Sequence, residues 1–248
     1  MKCAVIISGQ PRGVLETYTN IQNRLIIPNN ADVFLHSWID KEMEGKPYVA
    51  NWLRREGKEG IASKPVPKDI DKIILDVYKP KRYLFEPQKT FTYNPAIEKN
   101  KAQYLPIQDS FSMLYSFRMA TEMKQAYEIE NSIVYDVVIR IRFGMEFLSP
   151  SVINLSNYIC YGNLIFVSAG FNGFDNSAFL NNISFCDHWA IANSHIMNRL
   201  SETFFNIEDL AMNHGCLIQN EDLFGYWMRK KNNINIALLD FQYRINCQ

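Results

Sequence analysis

The chain has 248 residues, of which 47% are hydrophobic and 21% charged, a balance that suits a globular protein and excludes a disordered one. Lysine plus arginine and aspartate plus glutamate both number 26, so no basic excess is present to drive polyanion binding, and a nucleic-acid partner is not expected. No stretch nears the roughly 20 apolar residues that a spanning helix needs, which leaves peripheral contact as the open form of membrane association.

The five cysteines (Cys3, Cys160, Cys186, Cys216 and Cys247) are odd in number and form no CxxC pair. They read as reduced, mostly buried thiols, and the expected compartment is the cytoplasm. The apolar run that opens the chain stops at Ser8-Gly9, too short for the apolar core of a signal peptide.

In chain order, Cys3 to Ser8 is a continuous apolar run, the pattern of a short strand buried on both faces. The turn Gly9-Gln10-Pro11-Arg12-Gly13 follows, then a helical pattern through Val14, Leu15, Tyr18, Ile21 and Leu25 that ends at Pro28-Asn29-Asn30. Asp32 to Trp38 reads as a second strand, completing a right-handed βαβ unit. From Lys41 to Pro67 the chain is polar and irregular, with a short helix expected near Val49–Arg55. A helix over Asp69 to Tyr78 and a short strand over Arg82 to Phe85 come next, and Pro87 to Pro106 is again irregular. The clearest helix begins near Gln108, with Phe111, Tyr115, Met119 and Met123 at four-residue steps and Leu114, Ala126 and Tyr127 filling the stripe. Strands are expected at Asp136–Arg142, Asn163–Val167, His188–Ala192 and Ile234–Leu239, and helices at Ser194–Phe205, Ile207–His214 and Asn220–Lys231. This alternation predicts one α/β domain over 1–248 with a mostly parallel central sheet flanked by helices.

Four segments carry candidate chemistry. Ser8 to Gly13 joins a first strand to a first helix, where open α/β sheets hold phosphates, and Arg12 there could grip a diphosphate; the alternative is an ordinary turn with a solvated arginine. In the strand from Tyr135, Arg140 and Arg142 share a face, a costly arrangement unless it meets an anion or an internal carboxylate. Asn220 reads as a helix cap with Glu221 and Asp222 in the first turn, where the helix dipole favours acids and where a carboxylate could also serve as general base. Asp187 enters an apolar strand beside aromatic residues and could bind sugar hydroxyls. His36, His188, His195 and His214 have no metal-ligand spacing and read as structural.

In order along the chain, these segments resemble glycosyltransferases of the GT-A fold that build lipopolysaccharide, capsule and related surface glycans in bacteria and viruses. The resemblance runs through Ser8 to Arg12, Asp32 to Trp38, Ser112 to Ser116, Tyr135 to Arg142, Asp187 to Met197 and Glu221 onward. It implies a Rossmann-like domain whose 1–150 half holds a nucleotide-sugar donor through Ser8, Gln10, Arg12, Arg140 and Arg142. The 151–248 half would take a glycan or lipid-linked saccharide acceptor. Glu221 or Asp222 would deprotonate the acceptor and Asp187 would orient sugar, in a hexosyl- or deoxyhexosyltransferase. Where that family carries a metal-binding Asp, this chain has Gly144. A Mn²⁺ or Mg²⁺ cofactor would then rest on Glu146, two residues on. The departure also admits a degenerate glycan- or nucleotide-binding protein. A sugar nucleotidyltransferase is the other alternative, disfavoured by the shortness of the turn after the first strand.

Overall fold

The computed structural model describes residues 1–46, 65–103, 105–148, 151–159, 162–171, 174–175 and 185–245. The short helix expected near Val49–Arg55 lies outside them. The elements follow the expected alternation closely. Strand β1 (Cys3–Gly9) leads into helix α1 (Val14–Ile21), which continues through a π-helical turn over Gln22–Ile26 and a 3-10 turn over Ile27–Asn29. Then come β2 (Asp32–Trp38), α2 (Ile70–Tyr78), β3 (Arg82–Glu86), α3 (Ile107–Glu130) and β4 (Val137–Arg142). A short β5 (Met145–Phe147) precedes β6 (Leu164–Ser168), the two-residue strands β7 (Gly170–Phe171) and β8 (Phe174–Asp175), and β9 (Cys186–Ala192). The last third adds α4 (Ser194–Ser201), α5 (Ile207–His214), α6 (Asn220–Tyr226), β10 (Asn235–Leu239) and β11 (Tyr243–Ile245).

Seven strands form the central sheet in the order β10-β6-β9-β4-β1-β2-β3. The run β4-β1-β2-β3 is parallel, as is β6-β10, while β9 runs antiparallel to both of its neighbours. The sheet is thus mostly parallel, as expected, with one reversed strand that hydrophobic pattern alone does not reveal. A reversed strand buried on both faces is as uniformly apolar as a parallel one.

Because side chains alternate along a strand, each face of the sheet carries its own core. Ala4, Ile6, Phe34 and Val138 meet α3, α4, α5 and α6 on one side. Cys3, Val5, Ile7, Leu35 and Ile139 meet α1, α2 and the ribbon β5–β11 on the other. Both cores draw on residues from before and after position 150.

The long helix α3 departs from the stripe drawn on its sequence. Its fully buried positions include Ser110, Leu114, Phe117, Ala120, Thr121 and Lys124, while Met119 and Met123 are only partly covered. Polar residues disguise this face because each is satisfied internally. Lys124 Nζ donates to Glu128 and Ser194, and the other oxygen of Glu128 accepts the backbone N–H of Tyr135 at 2.9 Å. This buried network pins the middle of α3 to the start of α4. Among the described residues, no helix is long and apolar enough to cross a membrane.

Candidate functional site

The order β2-β1-β4 makes β1 a topological switch point, since α1 carries the chain from β1 to one side of it and β4 lies on the other. Crevices at the C-terminal ends of such strands are where open α/β sheets bind ligands. Strand register decides which side chains reach that edge. Ser8 is level with His36 on β2 and with Arg142 on β4, and all three share the α3 face with Arg140. The reversed strand β9 brings its first residues, Cys186 and Asp187, to the same edge, where Ser168 of β6 pairs with Cys186 across a β-bulge.

These positions assemble a charged cluster. Asp187, 2% exposed, accepts on Oδ2 from Arg142 Nη2 and, at 2.9 Å, from Asn220 Nδ2. Arg140 is 1% exposed; its Nη1 donates to the backbone carbonyl of Asp187, Nη2 lies 3.0 Å from the sulfur of Met113, and its guanidinium faces the Phe117 ring at 5.2 Å. Burial depresses its pKa to about 10, and Arg142 adds to the fall. Arg142 is the open member, with 28% of its side chain exposed. Burial works against its charge, but Asp187 and, after it, Glu221, Cys186 and Tyr243 together outweigh that and its pKa rises. Asp187 answers in kind, since burial works against its charge while Arg142, Arg140 and the hydrogen bond from Asn220 hold its carboxyl below the usual range. His188 Nδ1 meets Tyr243 Oη at 2.8 Å; burial and Arg142 lower its pKa to about 3, so it is neutral and forms no ion pair with Asp187.

Glu221, partly buried in the first turn of α6, completes the group. Burial, then the charge of Asp187, push its carboxyl up to about 8, against a smaller pull from Arg142. At neutral pH the cluster therefore holds two guanidinium charges against the single carboxylate of Asp187. Three buried polar atoms in it have no hydrogen-bond partner among the described residues: Arg140 Nε, Arg142 Nε and Asn220 Oδ1. Buried polar groups are normally satisfied, so three such atoms around one carboxylate leave hydrogen-bonding capacity unused there.

The expected residues fall into two groups. Ser8, Arg140, Arg142, Asp187 and Glu221 come together at the edge. Gln10 and Arg12 lie in the turn after β1, partly covered, with Gly9 at φ 115° and Gly13 at φ 59° permitting its tight path. Asp222 points its charge toward Cys216, whose thiol it helps to raise, while Glu221 interacts with Asp187 and Arg142. Asn220 is not the cap it resembles in sequence. Gln219 holds that position without a side-chain cap, and the Asn220 amide instead donates to Asp187.

Glu146 is placed away from its expected use. On β5 it pairs with Arg244 of β11, Oε2 accepting from Nε at 2.7 Å. Gly144 turns the chain between β4 and β5 at φ 75°, a conformation that favours glycine over the expected Asp. Among the described residues no three of His, Cys, Asp and Glu are grouped to hold a metal ion. No step is routed through a divalent cation.

A second cluster escaped sequence reasoning. His36 is fully buried, with Nδ1 2.7 Å from Ser116 Oγ on α3 and Nε2 2.9 Å from Glu86 Oε1 on β3. Burial lowers its pKa despite Glu86. Glu86 in turn pairs with Lys89 at 2.6 Å, and Lys89 reaches Tyr115 Oη. The signal was present, since His36 and Ser116 both belong to segments singled out above, but nothing in sequence says that the two meet. The cluster fixes the N-terminal half of α3 over the edge that carries Ser8.

No protein-family model matches the chain, and no curated protein does. Among solved structures, the chain is similar to the apo form of the glycosyltransferase GlyE from Streptococcus pneumoniae TIGR4, with 11% identity and a TM-score of 0.44. That likeness covers 96% of this chain and 45% of the other, so the chain spans less than half of that protein's length.

Proposed function

We propose that this chain is a glycosyltransferase that moves a sugar from a nucleotide-sugar donor to a hydroxyl acceptor. The observation that supports this most is the set of unpartnered atoms around Asp187. Two guanidinium Nε donors call for an anion, and the Asn220 Oδ1 acceptor calls for a hydroxyl or amide donor. A nucleotide sugar carries a diphosphate and sugar hydroxyls within one molecule.

In this reading the turn Ser8–Arg12 and the Arg142 guanidinium hold the diphosphate, and Arg140, too buried to reach far, supplies field from below. Negative charge develops on the diphosphate as the glycosidic bond breaks, and fixed cations in a partly dry site offset it. Glu221 takes the proton of the acceptor hydroxyl. A pKa of about 8 suits that task, because a base near the working pH combines adequate basicity with a usable deprotonated fraction. The acceptor is a glycan or lipid-linked saccharide of surface-polysaccharide synthesis, and the transferred group a hexose or deoxyhexose, as the sequence resemblance implies.

One observation favours a second reading. Arg142 is already paired with Asp187, and Glu146 with Arg244, which suits a non-catalytic glycan- or nucleotide-binding protein. Calorimetry with UDP, GDP and dTDP, followed by a hydrolysis and transfer assay over a nucleotide-sugar panel, separates the two. Turnover of any donor supports the enzyme. Nucleotide binding without turnover supports the binding protein, and no binding by any of the three nucleotides removes the enzyme and leaves only glycan binding.

A further inference from the structure

The role assigned to Asp187 from sequence was to orient sugar. Its geometry makes a different one. The carboxylate is 2% exposed, and Oδ2 is taken up by Arg142 and Asn220. Such a group has no free edge toward a sugar in the crevice. What it does hold is Arg142, the one cation of the cluster with an open side.

We propose that Asp187 is an internal counterion, standing in for the ligand's anion and competing with it for Arg142. This inference rests on the anion-binding part of the reading above. It assigns Asp187 to setting how tightly the crevice takes a diphosphate-class anion, with no contact to sugar or acceptor. The charge pattern makes it work in both states. Without ligand, two guanidinium groups in a site of low polarity need at least one internal negative charge, and Asp187 supplies it. With an anion at the exposed side of Arg142, the added negative charge meets Asp187 and Glu221. Asp187 must then share Arg142, and Glu221 must hold its proton more tightly.

The groups facing Glu221 define that linkage. From β9 these are Asp187 and Cys186; from β4, Arg140 and Arg142; and from its own helix, Asp222. Burial and Asp187 raise the Glu221 carboxyl, so removing the Asp187 charge lowers it. Anion binding favours the protonated carboxyl, and affinity must fall as pH rises through its titration. With Asp187 neutralised, the same fall must come at lower pH.

The test measures binding of UDP and of sulfate, which keeps its charge throughout, to the parent and to Asp187→Asn between pH 6 and 9.5. The expected result is affinity about tenfold tighter in the variant, the scale of one charged interaction, with its pH midpoint shifted down. Affinity equal to or weaker than the parent's, in a variant that melts as a folded protein, overturns the inference. Should the variant fail to fold, the parent decides. Carboxyl-¹³C NMR must then show the Asp187 resonance moving as UDP saturates Arg142, and a stationary resonance at saturation overturns the inference. No binding of either probe overturns it as well. Transfer activity is read separately: tighter anion binding with no turnover of any donor removes the glycosyltransferase reading and leaves the counterion in place.

Discussion

The Glu221→Gln substitution tests the electrostatics of the site through stability, independently of any substrate. Glutamine matches the protonated acid in shape and has no charge to expose. In the parent, the carboxyl has an ordinary value of 4.5 and is pushed to about 8 in the folded chain. At about 1.4 kcal/mol per unit, the 3.5-unit rise (8 − 4.5) corresponds to roughly 5 kcal/mol. Glu221 keeps some contact with water and shares its site with Asp187, so a working figure is about 2–3 kcal/mol. The sign follows from which state binds the proton more tightly. Here the folded state does, so this contribution to stability is full below pH 4.5, declines as pH rises, and is gone above about 8. The variant loses nothing over that span. Its melting temperature should match the parent's near pH 4.5 and exceed it by about 5–10 °C at pH 9, using about 2–4 °C per kcal/mol for a chain of this size. The assay is thermal unfolding of both proteins at pH 4.5, 7 and 9. A constant difference across the series, or a variant less stable than the parent at pH 9, would refute the buried-acid argument. In the transfer assay the same variant should lose about 10²–10⁴-fold in turnover while keeping donor affinity, and Asp222→Asn should lose far less.

Arg142→Ala should weaken UDP binding by about 1.5–3 kcal/mol, the scale of a charged hydrogen bond, and still fold; Arg140→Ala should in addition lose about 3 kcal/mol of stability or more, because its partners are buried. Calorimetry and urea unfolding read the two effects, and parental UDP affinity in both variants would remove the anion site. Glu146→Gln breaks a pair whose arginine is 54% exposed, so it should cost less than about 1 kcal/mol and leave turnover and its response to EDTA unchanged. A turnover loss that Mn²⁺ restores would return Glu146 to a metal role. His36→Ala leaves Ser116 and Glu86 without their partner in a fully buried position, and urea unfolding should show about 2–4 kcal/mol lost; a loss below about 0.5 kcal/mol would mean that the cluster does not anchor α3.

Most elements were legible because their signals are local. The run Cys3–Ser8 is apolar enough to demand burial on both faces, Val137–Ile141 is apolar but for Arg140, and Pro28 and Pro80 punctuate the chain where helices stop. The shared face of Arg140 and Arg142 was equally legible, since period-two alternation is a property of any strand. What it could not supply was their partner, 45 residues away from Arg142 at Asp187, beyond a strand whose direction the sequence conceals. Asn220 misled for a related reason. An Asn before two acids has the look of a helix cap, and only the nearness of Asp187 diverts its amide. The pairing of Glu146 with Arg244 joins two short strands 98 residues apart, each too brief to announce itself. On α3, Lys124 and Glu128 lie outside the apolar stripe drawn from sequence, and only the fold brings Ser194 and Tyr135 to them.

The reversal of β9 has a consequence for how this crevice can vary. Parallel strands deliver their last residues to the C-terminal edge, so whatever follows them is tied to the site by the loop they lead into. A reversed strand delivers its first residues there, and its position is set from behind, by the pairing of Arg140 with Ala190 and of Val138 with Ala192. Its first residues are held in addition by Cys186, which pairs with Ser168 of β6 across the bulge. A slip of one residue in the same ladder would turn the strand's side chains to the opposite face and take the counterion from the two arginines. The counterion is thus held by the strand itself and not by a loop at the rim of the site.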